Sequence, residues 1–210
     1  MKITTNAALE ERLNTYSHGL GIPLALIGTY ILIASTSNTA WTVPLLVYGL
    51  TIIILFTAST LYHAYSDPVL KRKLRIFDHI SIYYLIAGTY TPVCLFVLQG
   101  SKGTLLLYAV WGIALFGTLL KLFFIGRFEV FSLVLYGLMG WLVVIDLPYL
   151  STVMGEPELF YLGLGGFFYT VGIAFYAIKK IPYNHFIWHL FVLGGACAHW
   201  YMMVLISISA

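Results

Sequence analysis

The chain has 210 residues, of which 60% are hydrophobic and only 9% charged, against roughly 25% charged in a soluble domain. That balance excludes a soluble globular protein and identifies an integral membrane protein. The net charge of +3 comes from basic residues scattered in short connections between apolar runs, so it reads as membrane topology and not as affinity for nucleic acid.

In chain order, the first 18 residues contain Glu10, Glu11, Arg12, Asn14 and His18 and are too polar for the core of a signal peptide. The apolar run from Gly19 is long enough to span and has no evident small-residue cleavage site after it, so it is expected to be retained. A bilayer core needs about 20 apolar residues in a helix. Seven segments meet that requirement, near 19–37, 41–64, 77–98, 104–123, 128–149, 158–178 and 184–207. The expected fold is therefore all-α: one polytopic domain over residues 1–210, with short connections making consecutive helices antiparallel neighbours in a seven-helix bundle. Within it, Pro92 should bend the third span, with a Thr hydroxyl of Gly88-Thr89-Tyr90-Thr91-Pro92 satisfying a freed carbonyl. Gly112, Gly117, Gly137, Gly140, Gly163, Gly165, Gly166, Gly194 and Gly195 are expected to let helices approach closely. Cys94 and Cys197 both fall inside apolar runs and read as small buried hydrophobes, not as a disulfide.

Orientation follows from lysine and arginine in the short connections. Ten of the eleven basic residues fall on one side: Lys2 and Arg12, Lys71, Arg72, Lys73 and Arg75, Lys121 and Arg127, and Lys179 and Lys180. Only Lys102 falls on the other. The asymmetry predicts a cytoplasmic N-terminus and an outside C-terminus.

Ionisable residues inside spans are costly, and each is a candidate functional group. In this topology His63 lies at the cytoplasmic end of the second span, with Ser59 one turn deeper on the same face. Asp78 lies at the mouth of the third span. His185 and His189, four residues apart on one helical face, occupy the first two turns of the seventh. Three imidazoles with an open position suit a catalytic zinc ion. His63, His185 and His189 are the expected ligands, Asp78 would hold a water and accept its proton, and Ser59 would support the water or an oxyanion. The bland alternative is that His63 and Asp78 are interfacial residues meeting lipid headgroups. His18, also at the cytoplasmic end, could support the site or touch headgroups, with direct ligation the less favoured reading. His79 should point about 100° away from Asp78 and stand outside the constellation. His199, roughly 15 Å beyond His189 by helical rise, should be a hydrogen-bonded buried histidine. Asp146, before Pro148, is expected to be an interfacial carboxylate, and Glu156 and Glu158 a solvated outer loop.

Several of these stretches together resemble a known family. They are Glu11-Arg12-Leu13-Asn14 with Ser17-His18-Gly19, Ser59-Thr60-Leu61-Tyr62-His63, Asp78-His79 leading into Ala87-Gly88-Thr89-Tyr90-Thr91-Pro92, and His185 through His189. The pattern resembles the bacterial hemolysin III branch of the progestin and adipoQ receptor superfamily over essentially the whole chain. The resemblance implies zinc on His63, His185 and His189, a water-holding Asp78, the motif serine at Ser59, a bacterial plasma-membrane location and ceramidase-like hydrolysis of a lipid amide, with a membrane lipid as substrate. It also brings two rivals: a non-enzymatic membrane-homeostasis or receptor-like protein with structural zinc, and a pore-forming cytolysin. The long soluble N-terminal domain of the superfamily's receptors has no counterpart here.

Overall fold

A computed structural model describes residues 7–208, and it is helical throughout its regular structure. Lys2, counted in the charge asymmetry, lies outside the described residues. Seven helices are long and apolar enough to cross a bilayer. They are Ala7–Ser35 (α1), Thr42–Ala64 (α2), Pro68–Pro92 (α3), Gly103–Phe124 (α4), a fifth crossing in two pieces, Glu156–Ala177 (α7) and Asn184–Ile208 (α8). The fifth crossing consists of Glu129–Trp141 (α5), a 3-10 stretch Leu142–Asp146, and Leu147–Val153 (α6). Outward-facing positions carry large apolar side chains such as Leu115, Phe116, Leu119 and Phe123 on α4 and Val130, Val134 and Leu138 on α5, as a lipid-facing surface requires.

Two helices reach well past the apolar stretches expected for them. α1 begins at Ala7, ahead of 19, and α3 begins at Pro68, ahead of 77. At α3 the cause is local: the Asp67 side chain accepts a hydrogen bond from Leu70 N at 2.8 Å, and Pro68 occupies the first turn, where its missing N–H costs nothing. Lys71, Arg72, Lys73 and Arg75 are therefore helical residues and not loop residues. Asp78 consequently lies ten positions, about 15 Å of helical rise, inside its helix.

The α3 helix passes Pro92 by widening into a π-helical stretch, Val93–Val97, one of the recognised ways a chain absorbs an interrupted ladder. Thr89 and Thr91 donate to the carbonyls of Leu85 and Ala87, both at 2.8 Å, so neither hydroxyl serves the carbonyl of Gly88 four residues before the proline. At the break in the fifth crossing, the Tyr90 hydroxyl donates to Gly140 O at 2.9 Å and accepts from Val143 N at 2.8 Å. One side chain thereby satisfies backbone groups that the break frees.

The glycines divide into two groups. A Cβ on Gly117 would meet the Tyr83 ring, one on Gly165 the His199 ring and one on Gly195 the Tyr169 ring, so these positions serve close packing as expected. Gly112, Gly137, Gly140 and Gly163 would meet nothing within 4 Å, which corrects the packing expectation for them. Gly137, Gly140 and Gly163 instead border cavities between α5 and α7.

The packing glycines and the open ones should respond oppositely to substitution. A Cβ at Gly21 would lie 2.6 Å from the Phe56 ring, so Gly21→Ala is expected to cost about 1–3 kcal/mol by overpacking. Gly112→Ala is expected to be neutral or to gain up to about 1 kcal/mol from helix propensity. Thermal unfolding of the two variants in detergent micelles checks the difference.

Candidate metal centre

The polar groups collect at one end of the bundle. His63 closes the last turn of α2, His185 and His189 open α8, and Asp78 comes from α3. The polar first turns of α1 complete the ring from outside. His63 and His189 are buried, at 6% and 1% exposure, and His185 is partly buried. One ligand atom from each of the three histidines can be chosen so that all lie within 4.8 Å of one another. The three ring-to-ring distances, His63 to His185, His63 to His189 and His185 to His189, are each 4.9 Å. Three imidazoles bound through nitrogen at about 2.0–2.1 Å around a tetrahedral ion put their ring centres about 5 Å apart. The triad is therefore a group that could hold a metal ion.

The outer nitrogens are already occupied, which says which inner atoms are free. The Nδ1–H of His63 donates to Glu11 Oε2 at 2.7 Å, and Lys71 Nζ reaches the same oxygen at 3.2 Å. The Nδ1–H of His189 donates to the Asn14 carbonyl at 3.2 Å, with Ser17 Oγ also at 3.2 Å. The donor assignment follows because a carboxylate and a carbonyl can only accept. Nε2 of His63 is left buried with no hydrogen-bond partner. An orphaned nitrogen in a buried position calls for a ligand, and here it belongs to a residue of the triad. The Glu10 carboxylate adds a 3.3 Å bond from His185 N in the first turn of α8, where a negative charge meets the positive end of the helix dipole.

A cavity of about 30 Å³ adjoins the triad and is lined by His18, Ser59, Asp78, His79, His185 and His189 among others. About 10–15 Å³ suffices for one water, so the space holds a water or two. Ser59 and Asp78 are buried, at 2% and 8% exposure, and the Ser59 hydroxyl is turned to the Asp78 carboxyl. Asp78 is not a member of the three-residue ligand group. The structure thus brings four of the five sequence-predicted residues, Ser59, Asp78, His185 and His189, to one cavity, while His63 groups with the two α8 histidines without lining it.

Several expectations need correction. His79 was expected outside the constellation; it is 8% exposed, lines the same cavity and has Nδ1 3.6 Å from Glu129 Oε2. A turn of 100° around α3 moves it towards α5 but not out of a cavity that extends to both helices. His18 touches no headgroup: it is 3% exposed and stacks on His189 at 3.6 Å with the planes 10° apart. An ion in the plane of the His189 ring would lie off the plane of His18, so the stack excludes His18 as a ligand to that ion. Asp146, at the end of the bundle, is 3% exposed, accepting from Ser101 Oγ at 2.8 Å and Lys102 N at 2.9 Å. It ties the 101–102 connection at the opposite end of the bundle. His199 meets its expectation in part, with Nε2 3.3 Å from the Leu162 carbonyl.

Glu129 was missed. It begins α5 and joins Lys121 Nζ at 3.0 Å and Arg75 at 3.2 Å. Lys121 itself, expected to flank a loop, ends α4 with 0% exposure. The signal for the outer groups of α1 lies in spacing: Glu11, Asn14 and His18 at i, i+3 and i+7 form one helical face, legible once the helix is started at residue 7 and not at 19.

The profile of the family described as "Haemolysin-III related" matches residues 6–200. The chain is similar to the "Hemolysin-3 homolog" of Bacillus subtilis (strain 168), 41% identical over 198 residues that cover 93% of each chain. It is 40% identical over 195 residues to "Hemolysin-3" of Bacillus cereus, covering 91% of this chain and 89% of that one. The "Monocyte to macrophage differentiation factor" of Homo sapiens is 29% identical over 205 residues, covering 91% and 82%. No solved structure matches the chain.

The Lys121–Glu129 pair yields a stability prediction. Removing one partner of a buried pair leaves an uncompensated charge and costs about 3–5 kcal/mol. Glu129 is 29% exposed, so Glu129→Ala is expected near 3 kcal/mol, the low end of that range. The double variant Lys121→Met/Glu129→Leu should recover most of the loss, measured by thermal denaturation in micelles.

Proposed function

From its membership of the haemolysin-III related family, to which this chain belongs, and from its site geometry, we propose a zinc-dependent membrane hydrolase acting on a lipid amide or ester. Its site lies near the cytoplasmic leaflet of the bacterial plasma membrane. The observation that carries this reading is a separation of roles: His63, His185 and His189 form a group that could hold a metal, while Asp78 and Ser59 line the adjoining cavity with His185 and His189 and do not join that group. A structural zinc site is closed by four protein ligands, whereas a catalytic one keeps three and an open position.

When bound, zinc supplies Lewis acidity and lowers the pKa of a coordinated water to about 7. His63, His185 and His189 hold the ion. The Asp78 carboxylate, which lines the adjoining cavity, would orient a water there and accept its proton at Oδ. The Ser59 hydroxyl donates to Asp78 or to the developing oxyanion. Burial keeps bulk water away from these groups and strengthens their electrostatic interactions.

A lipid substrate is supported by what adjoins the site. An apolar cavity of about 80 Å³ between α3, α5, α7 and α8 shares Leu55, Ile82, Tyr136, Trp188 and Val192 with the metal cavity. A further cavity of about 390 Å³ shares Tyr90, Gly140 and Gly166 with it in turn. Acyl carbons placed there would leave the scissile carbonyl at the triad. The haemolytic activity named in the two Bacillus relatives is the rival, and a pore should leak dye from liposomes whether or not Asp78 is intact.

Purified protein is expected to carry one zinc per chain, lost in His185→Ala/His189→Ala. Asp78→Asn should retain the zinc and lose release of fatty acid from a panel of lipid amides and esters by at least about a hundredfold, the scale of general-base catalysis. Metal-free wild-type protein would sink the zinc reading, and undiminished turnover in Asp78→Asn would sink the mechanism.

The orientation has its own test. In a Cys94→Ser/Cys197→Ser background, Glu156→Cys should react with a membrane-impermeant maleimide on intact cells, and Lys180→Cys only after lysis. The reverse pattern inverts the topology.

A further inference from the structure

We propose that Glu11 is a positioning residue for the metal centre: its carboxylate holds His63 in the Nδ1–H tautomer, so that Nε2 presents its lone pair to the ion. The proposal rests on the zinc reading above and deepens it. Neutral imidazole has one donor nitrogen and one acceptor nitrogen, and the choice between them is set by whichever partner the ring meets. His63 meets the Glu11 carboxylate at 2.7 Å on Nδ1, with the Asn14 amide nitrogen farther off at 3.5 Å, and no partner on its buried Nε2; the shorter, charge-assisted contact sets the tautomer.

The opposite tautomer would aim a lone pair at a carboxylate oxygen 2.7 Å away. It would also bury an Nε2–H donor with nothing to accept it, and such an orphan costs about 1–3 kcal/mol. The observed tautomer makes a charge-assisted bond on one side and leaves only a lone pair to be satisfied on the other.

The carboxylate is itself held in place. Lys71 Nζ, 3.2 Å from the same Oε2, ties Glu11 to α3, and the contact therefore joins α1, α2 and α3 at the ligand. The same face of α1 treats His189 in the same way, since the Asn14 carbonyl takes its Nδ1–H at 3.2 Å. The polar first turns of α1 thus act as the orienting element for ligands on two other helices. Glu11 side-chain exposure is 41%, and the residue does not line the metal cavity. It acts through His63 and not on a substrate.

The test uses full-length detergent-solubilised protein and zinc competed against a chromophoric chelator. Outer partners of metal-bound histidines are worth about 10–100-fold in affinity. Glu11→Leu is expected to weaken zinc within that range, and Glu11→Gln, which keeps the shape but replaces a charge-assisted bond with a neutral one, by about tenfold. Thr15→Ala is the control: Thr15 donates to the Glu11 carbonyl at 2.8 Å on the same helix and touches no ligand. Its affinity should stay within about twofold of wild type, well inside the outer-partner effect. Nitrogen-15 spectra of histidine-labelled metal-free protein supply a readout that general destabilisation would not move. His63, assigned by the signal lost in His63→Ala, should be Nδ1-protonated in wild type and a tautomer mixture in Glu11→Gln. Wild-type affinity in both Glu11 variants, equal loss in Thr15→Ala, or an unchanged His63 tautomer each overturns the proposal. A wild-type protein that binds no zinc overturns the metal reading instead, so the two failures are distinguishable.

Discussion

An imidazole buried among helices must find a partner for each nitrogen or bear the cost of an orphan, and His63 obeys that constraint by facing two ways. Its outer nitrogen is bonded to Glu11 at 2.7 Å, and its inner nitrogen is buried with no protein partner. Three helices meet at this ring: α2 carries it, α1 supplies the carboxylate, and α3 supplies Lys71 to the carboxylate. The positions of His185 and His189 follow the same logic, since α8 is fixed to α1 through Glu10, Asn14 and Ser17.

The two ends of the bundle contrast in how their buried polar groups are treated. At the far end Asp146 is fully bonded to Ser101 and Lys102, which is how a structural carboxylate is stabilised. At the near end Nε2 of His63 and both nitrogens of His18 are buried and unpartnered. His199 Nδ1 and the hydroxyls of Tyr48 and Tyr83 are also buried and unpartnered elsewhere in the bundle, so what distinguishes His63 Nε2 is its place in a group of three histidines that could hold a metal ion.

The seven crossings were legible in the sequence because hydrophobic runs of bilayer length leave few alternatives. The grouping of His63, His185 and His189 as a set that could hold a metal was legible too, since His185 and His189 share a helical face and His63 stands at a span end. Hydropathy could not show the polar extensions of α1 and α3. Glu11, Asn14 and Lys71 lie outside any apolar run, so residues that surround the triad were read as loop or left without a role. Lys121 was read only as a span-end charge and Glu129 not at all, because they pair across a connection whose turn passes through Gly126 and Phe128 at positive φ. Their partnership depends on tertiary geometry that periodicity does not encode. The glycines fell short for a related reason: composition identifies a small residue, but only packing decides whether a neighbour fills the space, as Tyr83 does at Gly117, or leaves it open, as at Gly137.

The charged turns that hydropathy overlooks carry two functions at once. Lys71 contributes to the basic asymmetry that orients the chain, and it also holds the Glu11 carboxylate against His63. Arg75 belongs to the same asymmetry and meets Glu129 beside the cavity. The same basic residues thus enter both the charge asymmetry and the contacts around the candidate triad, so the topology expectation and the candidate site share residues.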